Sequence, residues 1–276
     1  MKKIIIGTKV INPKGKVYAS ADWHGCWAPA EQALKFLNPE DTLIFIGDAL
    51  DRGQDGLKII KTLMSDNRVI YMKGNHEAIM ALAIKEILDG ISFGNTLWSF
   101  NGGISTWYDM EMMQDDVLAG YANYIDRLPI EVVYEAEDGH KVILEHAGYT
   151  PFDMSLRSHN PLWDRDHFYD EWDRGRERKG FDPDNTYLVH GHTPVQYLAF
   201  HYGYKSQPEK TKEMKKYAKQ WNNSDSCDWK PEVIRYCDGH KFDIDMCTIV
   251  SNRIALLDLD TFETIYFDAP SQKESE

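Results

Sequence analysis

Six residues with oxygen or imidazole donors recur at one kind of place along this 276-residue chain. Asp22, His24, Asp48, Asn75, His146 and His192 each follow a short apolar run. Carboxylate, amide and imidazole donors with no thiolate among them are the set expected of a site for two divalent cations. Asp22 and His24, as i and i+2 of an extended segment, would point the same way and reach one ion together. Asp48, on the next loop, would place one carboxylate oxygen on each ion. Such a bridge holds two cations roughly 3.5 to 4 Å apart, close enough to grip a phosphoryl group from both sides. Asn75, His146 and His192 would complete the second ion. Taken singly, each cluster has a plainer reading: a D-x-H pair as turn residues, a G-D-x-x-D or a G-N-H-E as an Asx turn with a helix cap. Their occurrence together, in order and each at the end of an apolar run, favours the metal site.

The elements that would position these residues follow from the runs before them. "KVYAS" leads to Asp22, "TLIFIG" to Asp48, "RVIYMKG" to Asn75, "KVILE" to His146 and "TYLVHG" to His192. Between them "APAEQALKFL", "DGLKIIKTLM" and "HEAIMALAIKEIL" carry apolar residues at helical spacing. The alternation predicts an α/β architecture in which loops at the C-terminal edge of a sheet converge on one site. The tail "KFDIDMCTIVSNRIALLDLDTFETIYFD" alternates apolar positions with turns at "SNR" and "DLDT", which predicts an antiparallel meander closing the domain. A single domain over residues 1–276 is expected, with surface insertions at about 152–184 and 201–240, where the pattern gives way to charged and aromatic stretches.

The segments "ADWHG", "GDALDRG", "KGNHE", "EHAG" and "VHGHTP" together resemble the ordered motifs of the calcineurin-like metallophosphoesterases, in particular the serine/threonine phosphoprotein phosphatase branch and its bacterial members. The resemblance implies a four-layer α/β/β/α sandwich with a dinuclear site at the C-terminal ends of the strands. It also implies Asp22, His24 and Asp48 on the first metal, and Asp48, Asn75, His146 and His192 on the second. His76 would be the general acid, oriented by Asp51. An imidazole kept cationic by a carboxylate donates a proton near neutral pH, in keeping with that role. Arg52 would hold phosphate oxygens with its planar fork. Arg165, in "PLWDRDHF", would be a second phosphate clamp, with Arg157, Arg174, Arg176 and Arg178 nearby as competitors. The implied reaction is hydrolysis of a phosphomonoester, of phosphoserine or phosphothreonine in a protein, by direct attack of a metal-bound hydroxide. The alternative substrate is a dinucleoside polyphosphate or nucleotide, and a third reading is a metal-binding scaffold without catalysis. Mixed Asp, Asn and His ligands favour manganese, with iron or zinc next, over magnesium. Ala21 stands where the family usually has glycine. Because a Cβ disfavours positive φ, Ala21 is expected to stay extended.

Composition narrows the partners. Lys and Arg total 31 against 44 Asp and Glu, a formal charge of −13 that opposes extended contact with nucleic acid or an anionic membrane. The start "MKKIIIGTKV" is too short in apolar residues for a signal-peptide core and no later run approaches a membrane span, so the chain reads as cytoplasmic. Four cysteines without C-x-x-C spacing read as scattered reduced thiols and not as a disulfide framework. The spacing of Cys227, Cys237, His240 and Cys247 likewise does not make a zinc knuckle. His190, two residues before His192, reads as structural. Cys26 reads as a small residue at a first helical turn, and the lysines from Lys205 to Lys219 as a solvated face. Trp98, Trp107, Trp163 and Trp172 read as core packing before any role in a groove.

Overall fold

The computed structural model describes residues 1–148, 160–165, 180–196 and 230–269. Two sheets lie face to face. The five-stranded sheet has the order β12-β11-β3-β4-β5, with β3 Val17–Ser20, β4 Thr42–Phe45, β5 Val69–Tyr71, β11 Arg253–Asp258 and β12 Thr264–Asp268. The seven-stranded sheet has the order β2-β1-β6-β7-β8-β10-β9. It is built from β1 Lys3–Ile6, β2 Lys9–Ile11, β6 Glu131–Glu135, β7 Lys141–Glu145, β8 Thr186–His190, β9 Ile234–Tyr236 and β10 Lys241–Asp243.

Residues of each strand alternate between two cores, as a pleat of period two requires. In β3, Val17 and Ala19 face the other sheet, while Tyr18 joins the core beneath the helices. In β4, Ile44 faces the other sheet, while Leu43 and Phe45 point to the helices. Burial on both faces explains why these strands read as unbroken apolar runs. Helices α1 Trp27–Phe36, α2 Gly56–Ser65, α3 Asn75–Leu88 and α6 Asp115–Asp126 cover the outer face of the five-stranded sheet. Between α3 and α6 the chain makes two short helices, α4 Leu97–Phe100 and α5 Ile104–Tyr108. On the far side of the seven-stranded sheet, Val133, Ile143 and Leu188 pack with Val195, where the backbone is helical at Val195 and Gln196. This is the expected mixed α/β sandwich of two sheets flanked by helices.

Strands β3, β4 and β5 run parallel, as do β7 and β8, so their C-terminal ends collect the expected loops at one edge of the sandwich. Two expectations are corrected. The tail is not a meander: β10 pairs with β8 and β9 in one sheet, while β11 pairs with β12 and β3 in the other. The helical turn Thr248–Ser251, with Cys247 and Asn252 left-handed at its two ends, carries the chain across. Asp22 and His24 are not extended either, since both have left-handed backbone, with φ of 56° and 41°. The insertions expected at about 152–184 and 201–240 fall largely outside the described residues, as do Arg157, Arg174, Arg176, Arg178, Trp172, Cys227 and the lysines from Lys205 to Lys219. The longest helices among the described residues are too short or too polar to cross a membrane.

Candidate metal centre

The loops after β3 and β4 are held together by backbone bonds. Asp22 N donates to Gly47 O, His24 N to Asp48 O and Gly25 N to Ala49 O, at 3.0, 3.0 and 2.9 Å. These pairings accompany left-handed conformations at Asp22, His24 and Asp48, and Asp51, Arg52 and, on the loop after β8, His192 are left-handed as well. Ala21 stays outside that region, as expected, and the turn is made one residue later. Gly191 is required by contact: a Cβ there would stand 2.0 Å from Asp22 Oδ2 and 2.8 Å from the Ala21 Cβ. That close approach lets the amide of His192 donate to both Asp22 oxygens, at 3.2 and 3.0 Å.

Two groups of donors result, with Asp48 common to both: His24, Asp48 and His76, and Asp48, His146 and His192, the donor atoms of each group lying within 4.8 Å of one another. Asp48 faces them with different oxygens, Oδ2 at 3.6 Å from His24 Nε2 and Oδ1 at 3.4 Å from His146 Nε2. The protons point away from the centre. His146 Nδ1 is 2.9 Å from the carbonyl of Ile46, and His24 Nδ1 is 3.0 Å from that of Leu50. A neutral imidazole that donates through Nδ1 keeps a bare lone pair on Nε2. The His146 Nε2 lone pair lies 2.8 Å from Asn75 Oδ1, itself an acceptor, and His192 Nδ1 lies 2.9 Å from the same oxygen. Among the described residues, His192 Nε2 is buried without a partner. His146 Nε2 and Asn75 Oδ1 are two acceptors that converge with no proton between them and need a cation, so the donors at this end of the site fit divalent metal.

The electrostatics agree. Burial pushes His24, His146 and His192 well toward their neutral forms, in which imidazole can ligate. Burial opposes the charge of Asp48, but the imidazoles of His146, His76, His24 and His192 around it hold its carboxyl below the usual range. Burial raises Asp22, helped by the nearby Asp245 and Asp48 carboxylates. Burial raises Asp243 likewise and takes Asp245 up to about 7. This concentration of buried acids at one sheet edge is a cation-seeking environment.

His76 differs from the other histidines. Its Nδ1 lies 2.7 Å from Asp51 Oδ2. Although burial pulls its pKa down, the Asp48 and Asp51 carboxylates carry it above the ordinary histidine value. Arg52 links the two histidines of the first group, with Nη1 donating to His24 Nε2 at 2.8 Å and Nη2 to His76 Nε2 at 3.0 Å. Arg165 donates from Nε to Thr193 Oγ1 at 3.0 Å, beside the His192 loop. All ten residues singled out for the site therefore meet at one edge of the sandwich.

His190 stays structural, with Nε2 2.8 Å from the Tyr236 hydroxyl and Nδ1 3.0 Å from the Gly191 carbonyl. His240 Nδ1 lies 2.9 Å from the Thr186 carbonyl, and Cys237, His240 and Cys247 form no metal-binding group among the described residues. Cys26 is a free thiol whose pKa burial pushes up to about 12.

Sequence reasoning overlooked two side chains. Glu77, fully buried, accepts from Asp48 N, Ala49 N, Gly74 N and the Tyr71 hydroxyl, each at 2.8 Å, and so ties the loop after β4 to the start of α3. Its position three residues after Gly74, at a helix start, was a usable capping signal. Trp98, assigned above to plain packing, donates its indole N–H to the Asp51 carboxylate, 2.9 Å from each oxygen. No local pattern connects residues 47 positions apart.

A family model described as calcineurin-like phosphoesterase matches residues 15–243. Serine/threonine-protein phosphatase 2 of Salmonella typhimurium is 30% identical over 157 residues, 54% of this chain and 68% of the relative. Serine/threonine-protein phosphatase 1 of the same organism is 27% identical over 190 residues, 65% of this chain and 79% of the relative. A symmetrical bis(5'-nucleosyl)-tetraphosphatase of Buchnera aphidicola is 26% identical over 49% of this chain and 45% of its own length. Among solved structures, a putative diadenosine tetraphosphatase superposes over 94% of this chain and 96% of its own, with a TM-score of 0.53 at 16% identity, a likeness of fold.

Proposed function

The chain belongs to the calcineurin-like phosphoesterase family, metal-dependent hydrolases of the phosphatase kind, and from that premise we propose that it hydrolyses phosphomonoesters, with phosphoserine and phosphothreonine in proteins as its substrate class. The observation that carries the reading is the approach of two acceptors, His146 Nε2 and Asn75 Oδ1, beside Asp48 with no proton between them, next to a His192 Nε2 that has no partner among the described residues. On this reading Asp22, His24 and Asp48 hold one divalent cation, and Asp48, Asn75, His146 and His192 hold the other, manganese being the favoured metal. When bound, the pair supplies Lewis acidity toward the phosphoryl oxygens and toward an attacking water.

The chain's own residues supply the rest. Arg52 is positioned to hold phosphate oxygens through its planar fork, and Arg165 to join it from the opposite loop. In turning to a phosphate, the Arg52 guanidinium would leave His76 Nε2, which then takes a proton from solvent. Asp51 keeps the Nδ1 proton of that ring in place. An imidazolium so oriented gives its Nε2 proton to the leaving alkoxide as the P–O bond breaks, a contribution of typically 10²- to 10⁴-fold. A groove of about 410 Å³ runs from Arg52 past Trp27, Gln54 and Asp55 to Ile249 and Asn252, with room for substrate beyond the phosphate.

The relative named as a dinucleoside tetraphosphatase supports a second reading, since a two-metal centre with a histidine acid serves a polyphosphate equally well. A substrate panel with manganese-loaded protein separates the two. We expect phosphopeptides to give the highest kcat/KM. Preference for a dinucleoside tetraphosphate replaces the first reading with the second. Unchanged p-nitrophenyl phosphate turnover in Asp48→Asn removes both.

A further inference from the structure

We propose that Trp98 is a positioning residue for the proton transfer: its indole N–H holds the Asp51 carboxylate in the orientation that aims His76 at the leaving oxygen. The inference rests on the assignment of His76 as the acid. Asp51 is fully buried and has left-handed backbone, so no helix or strand ladder fixes it. Its amide donates to Thr106 Oγ1 at 3.0 Å, which settles the main chain. Three side chains act on the carboxylate among the described residues: His76 Nδ1, on Oδ2 at 2.7 Å, Trp98 Nε1, 2.9 Å from both oxygens, and the Thr106 side chain, whose hydrogen bond also favours the charged carboxyl. His76 is the ring to be oriented and cannot anchor its own orienter; of the other two, Trp98 is the one whose N–H is centred on both oxygens, and it fixes the plane while Thr106 assists.

Trp98 is held firmly enough to serve. It is fully buried, meets Phe93 and Trp107 edge-on at centroid distances of 5.5 and 6.1 Å, and sits on α4, whose first turn is capped by the Thr96 hydroxyl. Phe93 stacks on Trp107 at 5.2 Å and 7°, closing the cage. Gly103 lies against the indole, where a Cβ would stand 2.4 Å from Nε1 and from Cδ1. Packing alone would be met by any large ring. A buried indole N–H commonly finds some acceptor; here the acceptor is the charged partner of the candidate acid, and a donor centred between both oxygens sets the rotation of the carboxylate plane.

The test compares two substrates of the manganese-loaded full chain. Phenyl phosphate has a poor leaving group that needs a proton, whereas 2,4-dinitrophenyl phosphate has a good one that does not. Trp98→Phe keeps a large ring and deletes the donor. It should lower kcat/KM for phenyl phosphate about tenfold, the usual effect of removing an orienting partner, and leave dinitrophenyl phosphate within about twofold. In an Asp51→Asn background the same change should add nothing. Gly103→Ala, which pushes the indole away without removing it, should reproduce the selective loss and serves as the test if Trp98→Phe does not fold. Equal loss on both substrates, no loss on phenyl phosphate, or losses that multiply in the double variant overturn the proposal. His76→Asn on the same pair keeps the two ideas apart. If it shows no leaving-group selectivity, the acid assignment falls, and the additivity with Asp51→Asn alone then decides whether Trp98 acts through Asp51.

Discussion

Gly191→Ala leaves every proposed ligand in place and yet should disable the centre. Gly191 is not among the left-handed glycines, so alanine is conformationally allowed and any effect comes from contact. The new Cβ would stand 2.0 Å from Asp22 Oδ2. Ordinary contact of a Cβ begins at 3.4 Å, so Asp22 or the His192 loop must move by more than about 1 Å. That displacement breaks the bonds from the His192 amide to Asp22, at 3.2 and 3.0 Å, and parts two proposed ligands of different ions. Hydrogen bonds to a charged group are worth about 1.5–3 kcal/mol. A misplacement of about 1 Å in a catalytic constellation costs on the order of 100-fold in rate. The assay is kcat on p-nitrophenyl phosphate with manganese, alongside manganese affinity by titration calorimetry. Gly120→Ala is the control: it lies in α6 with nothing within 4 Å of its Cβ, and should gain about 0.5–1 kcal/mol of stability at unchanged activity. Activity of Gly191→Ala within twofold of the parent would refute the contact argument.

Three further outcomes are expected. Glu77→Ala orphans three buried amides, at about 1–3 kcal/mol each, so its melting temperature should fall by at least about 5 °C at this chain length. Glu77→Gln, which keeps one acceptor, should fall less, and equal melting of the two would remove the clamp role. Chelation should lower the melting temperature because Asp22, Asp48 and Asp245 repel one another when no cation offsets them. Restoring manganese to about 100 times its dissociation constant should return about 2.7 kcal/mol, and a melting curve indifferent to metal would contradict the centre. Asp268 has its carboxyl drawn down to about 2, first by its hydrogen bonds with Arg253. A depressed carboxylate contributes stability above its unfolded value near 3.8, and that contribution is lost as pH falls toward 2. With the side chain 36% exposed, screening leaves about 1 kcal/mol. Asp268→Asn should therefore narrow the gap between stability at pH 6 and at pH 2.5, and an unchanged acid-denaturation profile would show the pair to be silent.

The α/β alternation and the gathering of Asp22, His24, Asp48, Asn75, His146 and His192 at one edge were legible because each depends on a few neighbouring residues: an apolar run, a turn, a polar residue at its end. Partition of the strands between two sheets was not legible. Val17 to Ser20 and Leu43 to Phe45 are buried on both faces, so their composition carries no mark of which sheet lies on which side. The path of the tail was hidden for the same reason, since β10 and β11 look alike in sequence but belong to different sheets. The supports for the site escaped because their partners are remote. Trp98 reaches Asp51, and the paired acids of "DID" approach Asp22, through the folded chain alone. The geometry of "ADWHG" was misjudged because an extended reading of i and i+2 is the default, whereas the bonds to Gly47 and Asp48 impose left-handed turns on both ligands.

Those left-handed residues have a consequence for selection. Asp22, His24, Asp48, Asp51, Arg52 and His192 all hold a conformation that an L-residue with a Cβ adopts at a cost of about 1–2 kcal/mol each. Glycine at any of the six would relax the backbone and delete a side chain the site uses. A library screened for thermal tolerance alone should therefore enrich glycine at Arg52, the exposed one of the six, where no buried partner is orphaned, and those survivors should be inert toward phosphate esters.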